Sequence, residues 1–150
     1  MNNTYRAVVI GLGNIGARFS HPQGKYPFNH SAAYLQNEKT ELIAGVDLDK
    51  ENRIFFEKHY QKPAYETIED GLFLKPDIVS ICTPHRLHFE QTIACLKAGT
   101  KMIWLEKPPS SHLRELHALQ EEEKKAGAKI LVNYQRRYSH NYVALRDFFK

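Results

Sequence analysis

Ala7-Val8-Val9-Ile10-Gly11-Leu12-Gly13-Asn14-Ile15-Gly16 decides the fold. Four consecutive apolar residues, three of them β-branched, read as a strand buried on both faces, because a strand covered on one side only alternates apolar with polar. The strand runs straight into glycines spaced Gly11-x-Gly13-x-x-Gly16, and the spacing predicts a helix opening behind them. In that setting each glycine has its own task. Gly11 permits the tight turn, Gly13 lets backbone approach a pyrophosphate, and Gly16 lets helix and strand pack closely. The helix N–H groups, at Asn14 and Ile15 onward, then face the anion. A glycine-rich turn that binds nothing is the plain alternative.

Working outward, strand-like runs recur at residues 5–10, 41–46, 77–82, 101–105 and 129–133, and helical spacing lies between them at 14–19, 31–37, 50–60, 88–98 and 110–126. Alternating strand and helix predicts βαβ units and hence an α/β fold of Rossmann type, a doubly wound parallel sheet in a single domain. Ser110 or Ser111 is expected to cap the last of these helices and Gly127 to end it. Residues 20–29 hold two prolines and a glycine and read as a loop interrupting the first crossover. Residues 62–65 read as a very short edge strand, since Pro63 cannot donate to a ladder.

Composition narrows the function classes. The chain has 150 residues, 42% of them hydrophobic, enough for one domain with a real core. Its 21 Lys+Arg against 17 Asp+Glu leave a charge of +4 spread along the chain, so nucleic acid is not an expected partner. Cys82 and Cys95 read as reduced thiols of a cytosolic protein rather than a disulfide or metal pair, and no metal site is expected. With no basic start leading to a long apolar region, and no apolar run of about 18 residues, neither secretion nor membrane spanning is expected and the protein reads as cytoplasmic.

Three further segments carry chemistry. Asp47 follows the second strand, where a carboxylate can accept hydrogen bonds from an adenosine ribose. It lies 31 residues beyond Gly16, against about 20 in the usual arrangement, a difference explained if residues 20–29 are an insertion. A carboxylate there repels a 2′-phosphate and favours NAD over NADP, although Lys50 and Arg53 are close in sequence; alternatively Asp47 only caps the next helix. Thr83-Pro84 forces an extended exit from the fourth strand over the expected cofactor site, with His85 facing nicotinamide ribose or substrate and His88 structural. Glu106-Lys107-Pro108 ends the fifth strand. Lys107 can bind a substrate hydroxyl and stabilise the charge left when that hydroxyl loses its proton, Glu106 can orient the lysine, and Pro108 can be cis or trans. A surface Lys-Pro turn is the alternative.

Gly11-x-Gly13-x-x-Gly16, Asp47, Thr83-Pro84-His85-x-x-His88, Glu106-Lys107-Pro108 and Asn133-Tyr134-Gln135-Arg136-Arg137-Tyr138, in this order and spacing, resemble the amino-terminal half of the Gfo/Idh/MocA oxidoreductases. The resemblance covers essentially the whole chain. It implies NAD or NADP as cofactor, hydride transfer at a hydroxyl carbon of a sugar, inositol or related polyol, Lys107 touching cofactor and substrate, and Arg136 and Arg137 near the substrate. It also implies a dinucleotide-binding domain over residues 1–135 and, from 136 to 150, the start of a connection toward a carboxyl-terminal substrate domain that supplies the facing wall and an acid/base residue. Without that domain the chain is expected to bind cofactor and turn over little. Tyr142, Leu145, Phe148 and Phe149 are expected to expose apolar surface and promote self-association or pairing with a partner domain. A free-standing NAD-binding regulatory or assembly module, and NAD-assisted glycoside cleavage, are the other functions the pattern allows.

Overall fold

Six parallel strands form one sheet in the order β3-β2-β1-β4-β5-β6, in a computed structural model that describes residues 4–149. They are β1 (Tyr5–Ile10), β2 (Thr40–Val46), β3 (Ala64–Tyr65), β4 (Ile78–Ile81), β5 (Met102–Leu105) and β6 (Lys129–Val132). The helices are α1 (His30–Gln36), α2 (Lys50–Tyr60), α3 (Ile68–Phe73), α4 (His88–Lys97), α5 (Leu113–Ala126) and α6 (His140–Phe148). Residues 1–3 and 150, the extremes of the two expected domain spans, lie outside the described residues.

Side-chain alternation along each strand divides the core in two. Val8, Ile10, Val46, Val79, Ile81, Ile103 and Leu105 pack against Leu72, Cys95, Leu96 and Leu119 of α3, α4 and α5. Ala7, Val9 and Leu42 face the other way onto Ala32 and Tyr34 of α1 and Phe56 and Tyr60 of α2. The chain therefore winds outward from β1 through β2 to β3 with helices on one face, then returns past β1 to β4 and continues with helices on the other. The strand order reverses between β1 and β4, and their carboxyl ends part there, which is where open α/β sheets bind ligands.

Local departures from the sequence expectation have local causes. The stretch after Gly13 is one wide turn, Asn14–Arg18, rather than an α-helix. Its Arg18 and Phe19 N–H groups donate five residues back, to Gly13 and Asn14 carbonyls at 3.2 and 2.9 Å. Loop 20–29 follows at once, so the regular helix begins only at His30, capped by Asn29 Oδ1 accepting from Ala32 N–H at 2.8 Å. The expected serine cap on α5 is replaced: His112 holds the cap position without a side-chain bond, Ser110 Oγ donates to the His112 carbonyl at 3.1 Å, and Ser111 N–H donates to Glu115 Oε2 at 3.1 Å. Helix α3 was not anticipated, yet its signal is present. Thr67 Oγ1 accepts from Asp70 N–H at 3.2 Å, capping the helix, and donates to Asp70 Oδ2 at 2.5 Å, so the Thr-x-x-Asp start box closes side chain to side chain. The short edge strand is present as β3, with the Pro63 carbonyl accepting from Gly45 N–H at 3.0 Å.

Candidate functional site

Glycine geometry shapes the mouth of the sheet. Gly11 has φ +89°, and a Cβ there would lie 2.8 Å from the backbone of Cys82 and Thr83, so the end of β1 touches the end of β4. A Cβ on Gly16 would run into the Gly11 carbonyl, which fixes how closely the wide turn folds back on the strand. A Cβ on Gly13 would meet nothing within 4 Å. The space above Gly13 is therefore open to a ligand, with the Asn14 and Ile15 amides beside it. This is the division of labour a pyrophosphate cradle requires.

Asp47 is half-buried beside that turn. Its Oδ2 accepts from Leu12 N–H at 2.7 Å and Asn52 Nδ2 at 3.1 Å, and its Oδ1 accepts from Asp49 N–H at 2.8 Å. Asp47 is not the cap of the next helix: Asp49 is, accepting from Glu51 N–H at 2.8 Å. A carboxylate offers about four acceptor sites, so a ribose hydroxyl still finds one. The nearby cation Arg53 is committed, donating to the Asp47 and Leu48 carbonyls at 2.7 and 2.8 Å and to Glu66 Oε2 at 3.0 Å. Lys50 is exposed at the start of α2.

Two cavities meet over the sheet. The larger, about 540 Å³, runs from Gly13 and Asp47 past Leu48 and Ile68 to Thr83 and Pro84, a largely apolar slot with Asp47, Glu66, Glu69 and Arg86 as the charged residues of its lining. The smaller, about 280 Å³, is lined by Ile15, Phe19, Glu106, Lys107, Asn133 and Gln135, and it shares Cys82 and Thr83 with the first. Lys107 is thus exposed in a hollow adjoining the cleft, and the Lys107–Pro108 peptide is cis. The folded chain brings together Gly11, Gly13, Asp47, Thr83, Pro84, Ile15, Glu106 and Lys107. His85 is exposed and lines neither cavity, and Arg136 and Arg137 are exposed on the turn Gln135–Tyr138, where Asn133 and Gln135 take the wall instead.

Beneath Lys107 lies a polar cluster that strand and helix patterns did not disclose. Glu106 Oε1 accepts from Asn133 Nδ2 at 2.5 Å and lies 3.0 Å from His30 Nε2; His30 Nδ1 lies 2.8 Å from Ser80 Oγ, and Ser80 Oγ lies 2.7 Å from Tyr34 Oη. Burial pushes the Glu106 carboxyl up, but hydrogen bonds from His30 and Asn133, attraction to His30 and the Lys107 N–H outweigh it, and the group sits below the usual carboxylate range. Burial pushes the Tyr34 hydroxyl well above its ordinary range. His88 is buried as a brace, its ring nitrogens 2.7 Å from the Pro108 carbonyl and 2.8 Å from that of Thr83, so one side chain ties together the loops after β4 and β5. Among the described residues no group of three or more potential metal-binding side chains occurs, and no helix is long and apolar enough to cross a membrane.

The sheet order, the glycine turn and the cleft at the switch point define a dinucleotide-binding protein of the Rossmann type. The chain belongs to the Gfo/Idh/MocA oxidoreductase family, whose NAD-binding Rossmann-fold model matches residues 5–134. It is 32% identical to myo-inositol 2-dehydrogenase of Thermotoga maritima, over 95% of this chain and 40% of that protein. It is 25% identical to D-glucoside 3-dehydrogenase of Escherichia coli, over 95% of this chain and 38% of that protein. In fold it is similar to scyllo-inositol dehydrogenase from Lactobacillus casei with bound NAD(H) and scyllo-inositol, with a TM-score of 0.82 at 18% identity, covering 97% of this chain and 41% of that one. The chain therefore spans about two fifths of the length of the relatives it matches.

Proposed function

We propose that these residues form the cofactor-binding half of an NAD-dependent dehydrogenase acting on a hydroxyl carbon of a sugar, inositol or related polyol. The observation that carries the reading is that the two cavities share Cys82 and Thr83, so that Lys107 and Glu106 adjoin the cleft in which a dinucleotide fits. The turn from Gly11 to Gly16 would hold the pyrophosphate through the Asn14 and Ile15 amides, Asp47 the adenosine ribose, and Thr83 with Pro84 the path toward the nicotinamide. When bound, NAD supplies the hydride acceptor. Lys107 binds the substrate hydroxyl and stabilises the negative charge that grows on it as the proton leaves. Glu106, tied on Oε1 and accepting from the Lys107 backbone N–H on Oε2, holds the loop in register.

Asp47 favours NAD over NADP, because a 2′-phosphate would meet its carboxylate and the neighbouring Arg53 is committed, while Arg86 is the exposed guanidinium that also lines the cleft. A second domain of the whole protein, or another copy, supplies the remaining wall. Helix α6 is the natural seat for it, since it buries none of its residues and leaves Phe148 81% and Leu145 54% exposed.

Calorimetric titration of the folded protein with NAD(H) and NADP(H), followed by a hydride-transfer assay of the whole protein against inositols and sugars, tests the proposal. Tight NAD(H) binding with transfer from a polyol is expected. Absence of NAD(H) binding overturns the reading altogether, and binding without transfer to any polyol or sugar favours a non-catalytic NAD-binding module.

A further inference from the structure

We propose that loop 20–29 carries a second substrate subsite, an aromatic platform for a neutral sugar ring, so that the substrate is a glycoside with one ring beyond the ring that reacts; this rests on reading the hollow around Lys107 as the hydride-transfer site. The hollow does not end at Lys107. A further depression of about 190 Å³ adjoins the 280 Å³ hollow and shares Ile15, Asn133 and Gln135 with it. Pro27 and Phe28 of the loop wall this depression, and Phe19, just ahead of the loop, walls the hollow itself with Lys107. The site thus has two lobes, with Lys107 in one and the loop along the other.

The loop is pinned while its rings stay in water. Ser20 Oγ accepts from Phe28 N–H at 2.9 Å, and Asn29 Nδ2 donates to the Ser20 carbonyl and to Ser20 Oγ, both at 3.0 Å, so the two ends are tied together. Gln36 Nε2 of α1 donates to the Pro22 and Gly24 carbonyls at 2.8 and 2.9 Å, and Pro22 is buried. Held this firmly, the segment still leaves Phe19, Tyr26 and Phe28 60%, 58% and 67% exposed, with Tyr26 flanking Phe28 at 6.3 Å between ring centroids. Compact loops closed by their own contacts are frequently functional, and exposed apolar surface at the rim of a cavity marks a ligand site. The lining then selects the ligand. A sugar ring has apolar C–H faces and a hydroxylated edge, which an aromatic face and planar amides satisfy together. Phe28 supplies the face. Gln135 supplies an amide that has no partner among the described residues, and Asn133 keeps its Oδ1 after Nδ2 donates to Glu106. No lysine, arginine, aspartate or glutamate lines the second lobe, and His30 there is tied to Ser80 and Glu106. A phosphate would lie unpaired in it, so a neutral ring fits where a nucleotide sugar does not. A one-ring polyol fills the first lobe alone and gains nothing from the loop.

Nuclear magnetic resonance of the whole protein loaded with NADH, with labelled phenylalanine rings and side-chain amides, tests the subsite. The probes are cellobiose and maltose as neutral two-ring sugars, glucose as the one-ring sugar and UDP-glucose as the anionic one. The disaccharides are expected to move the Phe28 ring and Gln135 amide signals, which glucose leaves in place, and to bind about tenfold more tightly than glucose, the scale of one aromatic contact. Phe28→Ala is expected to erase that advantage and Phe28→Tyr, which keeps the ring, to retain it. Disaccharides that bind no more tightly than glucose, an advantage that survives Phe28→Ala, or UDP-glucose binding more tightly than either disaccharide overturns the subsite. A Phe28 ring that no sugar moves assigns the platform to a covering protein surface and overturns it as well. NAD(H) titration of the same samples separates the two ideas: protein that binds no NAD(H) overturns the hydride-transfer site, whereas bound NADH with glucose and the disaccharides treated alike overturns the subsite alone.

Discussion

Replacing Gly16 and Gly13 by alanine, one at a time, is expected to separate stability from cofactor binding within one turn. At Gly16 the new methyl collides with the Gly11 carbonyl oxygen and lies 2.9 Å from the Gly11 carbonyl carbon. Both obstacles are backbone, held in place by β1 pairing with β2 and β4 on its two sides, so neither can swing away as a side chain would. Overpacking of this kind costs about 1–3 kcal/mol, and an immovable partner puts Gly16→Ala near about 3. For a chain of this length that lowers the melting temperature by about 6–12 °C. At Gly13 the methyl meets nothing within 4 Å, so Gly13→Ala should stay within about 0.5 kcal/mol of wild type. Its methyl nevertheless fills the space a pyrophosphate needs. Displacing one charge-assisted hydrogen bond costs about 1.5–3 kcal/mol, or about ten- to hundredfold in NAD affinity. Thermal unfolding by circular dichroism and calorimetric NAD titration measure the two effects. A Gly16→Ala protein that melts with wild type refutes the close-approach argument, and a Gly13→Ala protein with wild-type affinity removes the pyrophosphate from this turn.

Asp47→Ala should weaken NAD and narrow its advantage over NADP in side-by-side titrations; unchanged affinity and preference would remove the ribose role. Because the folded-state titration of Glu106 lies below its ordinary value, its contribution to stability is present above the unfolded carboxylate pKa and is lost as pH falls through the folded value. Urea unfolding across the acid range should therefore show a steeper loss in wild type than in Glu106→Gln, and parallel curves would contradict the assignment. Lys107 is exposed, so Lys107→Met should keep the melting temperature while lowering hydride transfer by the whole protein about 10²- to 10⁴-fold, with steady-state kinetics as the readout. Tyr60 Oη donates to the Ala17 carbonyl at 2.7 Å and approaches Asn29 Oδ1 at 3.0 Å, and burial pushes its pKa to about 12. Tyr60→Phe should cost about 1 kcal/mol, read as a melting-temperature drop of about 2–4 °C.

The amino-acid sequence by itself determined the class of fold and the mouth of the cleft. Apolar runs long enough for a strand, alternating with helical spacing, leave a parallel sheet as the arrangement that buries both, and three glycines behind β1 can serve only where backbone passes close to backbone or ligand. Those signals are local, carried by residues within a few positions of one another. Helix α3 belonged to the same category, since the Thr67 to Asp70 box was legible. The fold alone decided what depends on distant segments meeting. Asp47 reaches Leu12 across 35 residues, His88 meets Pro108 across 20, and His30 meets Glu106 across 76. No spacing rule specifies such pairs, because they follow from which strand ends lie side by side and which helix covers them. For the same reason Lys107 was recognisable as a reactive cation in the sequence, while the buried chain of polar groups beneath it became visible only when α1 was packed against β4 and β5.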